Sequence, residues 1–412
     1  MPAIWTLLRL DVPARRFFVA YAQSSLGTGA GYVAVLAIAY DRWDSPWAVP
    51  LALIAETIPV IFLGPVLGAL ADRMPRRTCL IASDAIRAVA FAGIFLIPSY
   101  PAMIAFVVLA GAGYALFNAA ALAALPSLTA PERQATATSL FSALGEAGYV
   151  VGPLMAVPLL AAGGGGAIAG INAASFAVSA VLLVGLPRAP RAAADDSGPS
   201  KSLVRLAREG VGTALRVPGV GALVIATTIA VVAFGAMNAA ELLLVREALG
   251  AGNAALSLLV AASGVGIVAG ALLAGGDGPD ATFRRRYLTG LAAASVGILA
   301  AAFAPDVPTA AAAFLLAGAG NGYAVASERV LLQRWVPDAL RARVFGAKHA
   351  LVSGAMLGSY ALTGAALALI DVRVMFAAAG VAGLLATALA VRLLRRRSAA
   401  PAGARAASPV TG

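Results

Sequence analysis

Apolar runs of about twenty residues alternate with short polar breaks along almost the whole chain. That pattern predicts helices that cross a bilayer, because a hydrocarbon core of about 30 Å takes roughly twenty apolar residues per helix. Cutting at charges, prolines and glycine clusters gives twelve runs: 17–40, 47–71, 78–97, 102–125, 136–161, 167–186, 220–245, 254–274, 287–304, 308–327, 345–370 and 374–394. The longest polar stretch, 187–216, divides them six and six. The expected organisation is an N-terminal bundle (1–186), a flexible linker (187–216) with an interfacial helix in 201–216, a C-terminal bundle (217–394) and a disordered tail (395–412). The first run follows Arg15-Arg16 and is too long for the apolar part of a signal peptide, so it reads as a retained span.

Composition agrees with a membrane solvent. Of 412 residues, 61% are hydrophobic and 12% charged, with a mean hydropathy of +0.89. Soluble domains carry about 25% charged residues. The net charge of +11 is divided among loops. With the N-terminus inside, 25 of the 30 basic residues fall in inner segments, and only Arg42, Arg246 and Arg373 fall in outer ones. That asymmetry predicts cytoplasmic termini. It also argues against a nucleic-acid partner, which would need the charge on one face. A lone Cys79 cannot form an internal disulfide, and a lone His349 cannot build a multi-His metal site. No HExxH, phosphate loop or serine elbow is present, so neither an enzyme nor an ATP-driven pump is expected. No cofactor or metal is expected either.

The two halves echo each other. LAGAG occurs at 109–113 and 316–320, GPVLGAL (64–70) is echoed by GIVAGAL (266–272), and Pro131-Glu132 by Pro337-Asp338. Parallel six-span halves suit a rocking transporter with its site between them. The loop after the second run reads GALADRMPRR and resembles the G-x-L-A-D-R-x-G-R-R/K loop of the major facilitator superfamily. The resemblance implies an all-α membrane protein of twelve transmembrane helices in two pseudo-symmetric six-helix bundles. It also implies a cytoplasmic latch made of Gly64, Gly68, Asp72, Arg73, Arg76 and Arg77, with the small residues allowing close helix approach. Pro75 replaces the usual glycine and stiffens the turn.

GEAGYVVGP in the fifth run, with Gly148, Gly152 and Pro153, resembles the superfamily's antiporter motif, associated with exporters. Met155-Ala156 stand where two glycines are usual. Further stretches, among them ALPSLTAPERQATATSL (124–140) and LQRWVPDALRARVFG (332–346), resemble the drug–proton antiporter branch that holds macrolide-efflux proteins and the enterobactin exporter.

Ionisable groups within spans are costly and functional by default. Glu56 lies nine residues beyond Trp47, so about 13 Å deep and near the midplane. Glu146 and Glu241 lie in the fifth and seventh runs. A carboxyl group buried without a counter-charge can exchange a proton near neutrality, which makes these three the proton-coupling candidates. Asp84 and Arg87, three apart on one helical face, are expected to pair structurally. Small and apolar residues would line the cavity together with Gln23, Ser24, Tyr32, Tyr114, Phe117, Asn118, Phe234, Asn238, Asn321 and Tyr323. Such a wall suits an amphipathic or cationic organic molecule better than a sugar or phosphate. The expectation is a monomeric, proton-coupled exporter of a drug-like, natural-product or siderophore-type small molecule in a bacterial inner membrane. A metabolite importer or uniporter of the same fold is the alternative.

Overall fold

The computed structural model describes residues 2–187, 212, 219–276 and 278–398. The interfacial helix expected over 201–216 and the tail from 399 lie outside them. Every described element is helical. A short amphipathic helix α1 (Pro2–Leu10), which the run pattern missed, precedes α2 (Val12–Arg42). Then come α3 (Ala48–Phe62), α4 (Gly64–Arg73), α5 (Arg76–Leu96), α6 (Tyr100–Leu128) and α7 (Gln134–Val184). The second half holds α8 (Val220–Leu243), α9 (Asn253–Leu273), α10 (Asp280–Ala302), α11 (Val307–Trp335), α12 (Asp338–Leu367) and α13 (Val372–Ser398).

These segments make twelve passes. The run 47–71 is broken into α3 and α4 at Leu63, because Pro59 removes a backbone donor inside α3 and a second proline opens α4. α7 contributes two limbs that turn at Gly164, whose φ of 68° a side chain would strain. Among the described residues, nine helices are long and apolar enough to cross a membrane. Two boundaries differ from the sequence reading. α11 continues past 327 to Trp335, which puts Glu328 and Arg329 inside a helix. α13 runs to Ser398, so the first residues of the expected tail are helical.

The repeat is visible in packing, with a single offset. The glycines of the two LAGAG segments lie against backbone: a Cβ on Gly111 would meet the Glu56 carbonyl oxygen at 2.5 Å, and one on Gly318 would meet that of Ser263 at 2.0 Å. Gly113 lies against the Ser83 carbonyl, and Gly320 against that of Gly290. Each of these pairs is displaced by 207 residues (318−111, 263−56, 320−113, 290−83). The GPVLGAL/GIVAGAL echo, displaced by 202, is therefore not an equivalence. Gly266 and Gly270 pack tightly on α11, whereas Gly64 and Gly68 have nothing within 4 Å of a Cβ position. Among the described residues no helix approaches closely at Gly64 or Gly68, because α4 packs on the core through its other face, at Leu67 and Ala71.

One buried cluster joins both halves, from Ala30–Ala39 and Ala48–Ala55 to Ala233–Val245 and Tyr360. Two further clusters stay within one half each, around Phe17, Leu80, Phe117 and Phe141 in the first and Leu223, Tyr287, Leu331 and Val344 in the second. Among the described residues the halves thus meet on the far face, away from the N-terminus, and form separate clusters on the face that carries the Arg-rich loops. Far-face contacts include Asp41–Arg246 at 3.3 Å and Trp47 against Gly364.

On the basic face, arginines close helix ends. Arg16 donates to the Gly185 carbonyl (2.8 Å) and Arg77 to that of Leu186 (3.1 Å), satisfying acceptors where α7 stops. Arg133 donates twice to Asp11, at 2.7 and 2.9 Å, tying the turn after α6 to the start of α2. The Arg133 guanidinium holds the Asp11 carboxyl below its usual range.

Candidate functional site

α2, α3, α5 and α6 enclose a cavity of about 270 Å³ in the first half, completed by Tyr149 of α7 and Tyr360 of α12. Its walls are mostly apolar, and its polar groups are few: Thr28, Tyr32, Glu56, Thr57, Arg87, Tyr114, Tyr149 and Tyr360. Gly111 lets α6 press against the Glu56 backbone, which fixes α3 there and leaves the carboxylate to the cavity. Among the described residues Glu56 forms no ion pair. It lies within electrostatic reach of Tyr32, Tyr114, Tyr149 and Tyr360.

Arg87 forms the opposite part of the wall. It pairs with Asp84 one helical turn earlier, and both are buried. Its guanidinium is held between Phe117 and Phe176, 4.5 and 4.3 Å from the ring centroids. A planar cation stacked on two rings is fixed in orientation. A smaller cavity of about 30 Å³ adjoins it, with Arg87, Tyr114, Ser24, Phe117 and Asn118 among its walls.

The three candidate carboxylates have different surroundings. Glu241 of α8 is 2% exposed and accepts from the Tyr32 hydroxyl at 3.2 Å, across the boundary between halves. Glu146 is exposed, within reach of Tyr21 and Tyr114, so the buried carboxylate expected there is not found. Gln23 is also corrected: its amide donates to the Ser175 carbonyl at 2.9 Å and to Ala20 at 3.2 Å, bracing α2 against α7 instead of lining a cavity. Tyr323 does not contribute to these walls either, since it lies beside Gly270 where α9 crosses α11. The antiporter-like residues form the α2–α7 crossing. A Cβ on Gly148 would meet the Ser25 carbonyl at 2.5 Å, and Pro153 abuts Gly29. Asp72 belongs to α4, but its side chain lies outside the described residues.

The sequence reading missed a second cavity of about 240 Å³, enclosed by α8, α9, α10 and α11 with Met356 of α12. Asn238, Asn321 and Phe234 lie in its wall. So does Glu328, fully buried, which accepts from Thr227 (2.8 Å) and from the Lys348 ammonium of α12 (2.5 Å). Thr227 also bonds the Tyr287 hydroxyl at 2.9 Å. One signal could have found it: Asn321 and Glu328 are seven residues apart and share a helix face.

The sequence profile of the Major Facilitator Superfamily matches residues 17–244 and 223–410. The "Uncharacterized MFS-type transporter YfiS" of Bacillus subtilis is 28% identical over 340 residues, covering 79% of each chain. The "Uncharacterized MFS-type transporter Rv0037c" of Mycobacterium tuberculosis is 31% identical over 378 residues, covering 85% of this chain and 82% of that one. Among solved structures, the fold is similar to an inward-facing bacterial homologue of the human lysosomal transporter Spinster, with a TM-score of 0.71 at 16% identity over 95% of this chain and 98% of that one. It is similar too to the nucleoside transporter NupG, with a TM-score of 0.73 at 12% identity over 93% and 99%.

Proposed function

The chain belongs to the major facilitator superfamily and is a multi-pass membrane transporter, not an enzyme; from that premise we propose that it exports an amphipathic organic molecule in exchange for protons. One observation carries the reading: among the described residues Glu56 is an acid without an ionic partner, in the wall of a mostly apolar cavity whose other polar groups are tyrosines, Thr28, Thr57 and an Arg87 already paired with Asp84. Such a group can hold a proton or face a cationic substrate, but not both at once, and that exclusion is the essence of exchange. Four tyrosines provide flat apolar surface with a hydroxyl at the edge, suited to large amphipathic ligands.

Export is supported by the antiporter-like GEAGYVVGP segment at the α2–α7 crossing. The arginine-rich face, where the halves form separate clusters, is the cytoplasmic face by the positive-inside rule. The cavity would then load from the cytosol in the state described, with the chain acting as a monomer in a bacterial inner membrane.

The test is Glu56→Gln in reconstituted vesicles with ethidium as the transported cation. The amide keeps size and hydrogen bonding but does not titrate. It is expected to abolish pH-driven accumulation while preserving downhill exchange. Full uphill export by the variant would remove Glu56 from the mechanism and pass the role to Glu241.

A further inference from the structure

The second cavity does not reproduce the first. By the 207-residue offset, Ser263 stands where the first half has Glu56, and Ala294 where it has Arg87. The charges of the second cavity come from elsewhere: Glu328 and Lys348 correspond to Ala121 and Phe141, so this pair has no counterpart in the first half.

Its geometry is that of a capped carboxylate. Glu328 belongs to the cavity wall yet no solvent touches it, because Thr227 covers one carboxylate oxygen and the Lys348 ammonium the other. A carboxylate so buried requires a cation. The lysine itself is 18% exposed at its side chain, so its flexible stem has somewhere to go. Beyond the carboxylate the cavity offers two amides, Asn238 and Asn321, and the apolar side chains of Phe234 and Met356.

We propose that this cavity is a second ligand site, for a primary organic ammonium with an apolar body, in which Lys348 is a tethered competitor. The ligand's ammonium takes the place of the Lys348 ammonium on Glu328, and the lysine swings out to water. The inference rests on the reading of the chain as a carrier of organic molecules, but its test reads binding and not transport. Failure of pH-driven export and failure of this site are therefore separate results.

Tryptamine is the probe, and tryptophol, its neutral hydroxyl analogue, the control. All measurements use the detergent-solubilised full chain carrying Glu56→Gln, so that the carboxylate of the first cavity does not contribute. Lys348→Gln removes the competitor and is expected to tighten tryptamine at least about tenfold, equivalent to 1.4 kcal/mol, with tryptophol unchanged. Adding Glu328→Gln to it is expected to erase the preference for tryptamine over tryptophol. Unaltered tryptamine affinity in a folded Lys348→Gln chain would overturn the proposal. If that variant does not fold, the neutral Glu328→Gln/Lys348→Gln pair decides: a retained wild-type preference for the amine overturns the site, and a lost one supports it.

Discussion

The Tyr32 hydroxyl donates to a carboxylate oxygen of Glu241 at 3.2 Å, joining α2 of one half to α8 of the other. Tyr32 lines the first cavity, and Glu241 is buried in the shared core that seals the far face. Cavity and seal thus meet in one hydrogen bond. Tyr32→Phe removes the donor and leaves Glu241 without it, at a cost of about 1 kcal/mol, or roughly fivefold in the balance of states. Spin labels at Ser45 and Ala251, on the far sides of opposite halves, should report a larger fraction of long distances in the variant. An unchanged distribution would separate this bond from the seal.

Small residues at the α2–α7 crossing set a packing prediction. A Cβ at Gly152 would lie 2.6 Å from the Leu26 carbonyl oxygen and 2.7 Å from the Ala30 nitrogen, both backbone atoms that cannot swing aside. Gly152→Ala is expected to destabilise by about 1–3 kcal/mol through forced separation of the helices. Gly68→Ala meets nothing within 4 Å and should melt like the parent. Thermal unfolding in detergent distinguishes the two; equal midpoints would contradict the close crossing.

The latch expected from GALADRMPRR is tested by Asp72→Asn. α4 ends at Arg73, and an extended Met74 and then Pro75 lead into α5 at Arg76, so the turn carries the proline expected to stiffen it. If Asp72 stabilises the state in which the basic face is closed, the amide should slow transport several-fold with folding intact, since a helix-end charge contributes about 0.3–1 kcal/mol. Wild-type transport rates in vesicles would remove Asp72 from the cycle.

Asp11 and Arg133 give a pH signature outside the membrane. The guanidinium lowers the Asp11 carboxyl from its ordinary value of 3.8, so the folded state favours the ionised form. The contribution is complete above that value and disappears as pH falls through the lowered one. Asp11→Asn should therefore reduce the unfolding midpoint at pH 7, and the gap between parent and variant should narrow below about pH 4. A gap independent of pH would assign the effect to packing.

Hydrophobic periodicity by itself determined the solvent, the number of passes, the division into halves and the family resemblance, because each depends on runs of twenty apolar residues and on local motifs. It also identified Asp84 with Arg87, neighbours on one helix turn. Long-range partners were another matter. Nothing local distinguishes Glu56, without an ion pair among the described residues and in a cavity wall, from Glu146, exposed, or from Glu241, bound to Tyr32 some 209 residues away. Ending the tenth run at the first charges hid Glu328, although burial there is made possible by Lys348 on the next helix. The 202-residue echo looked like a repeat because glycine and alanine are abundant, whereas backbone contacts at Gly111 and Gly318 give 207. A carboxylate in a membrane protein takes its role from the cation, hydroxyl or cavity beside it, and those neighbours are supplied by other helices.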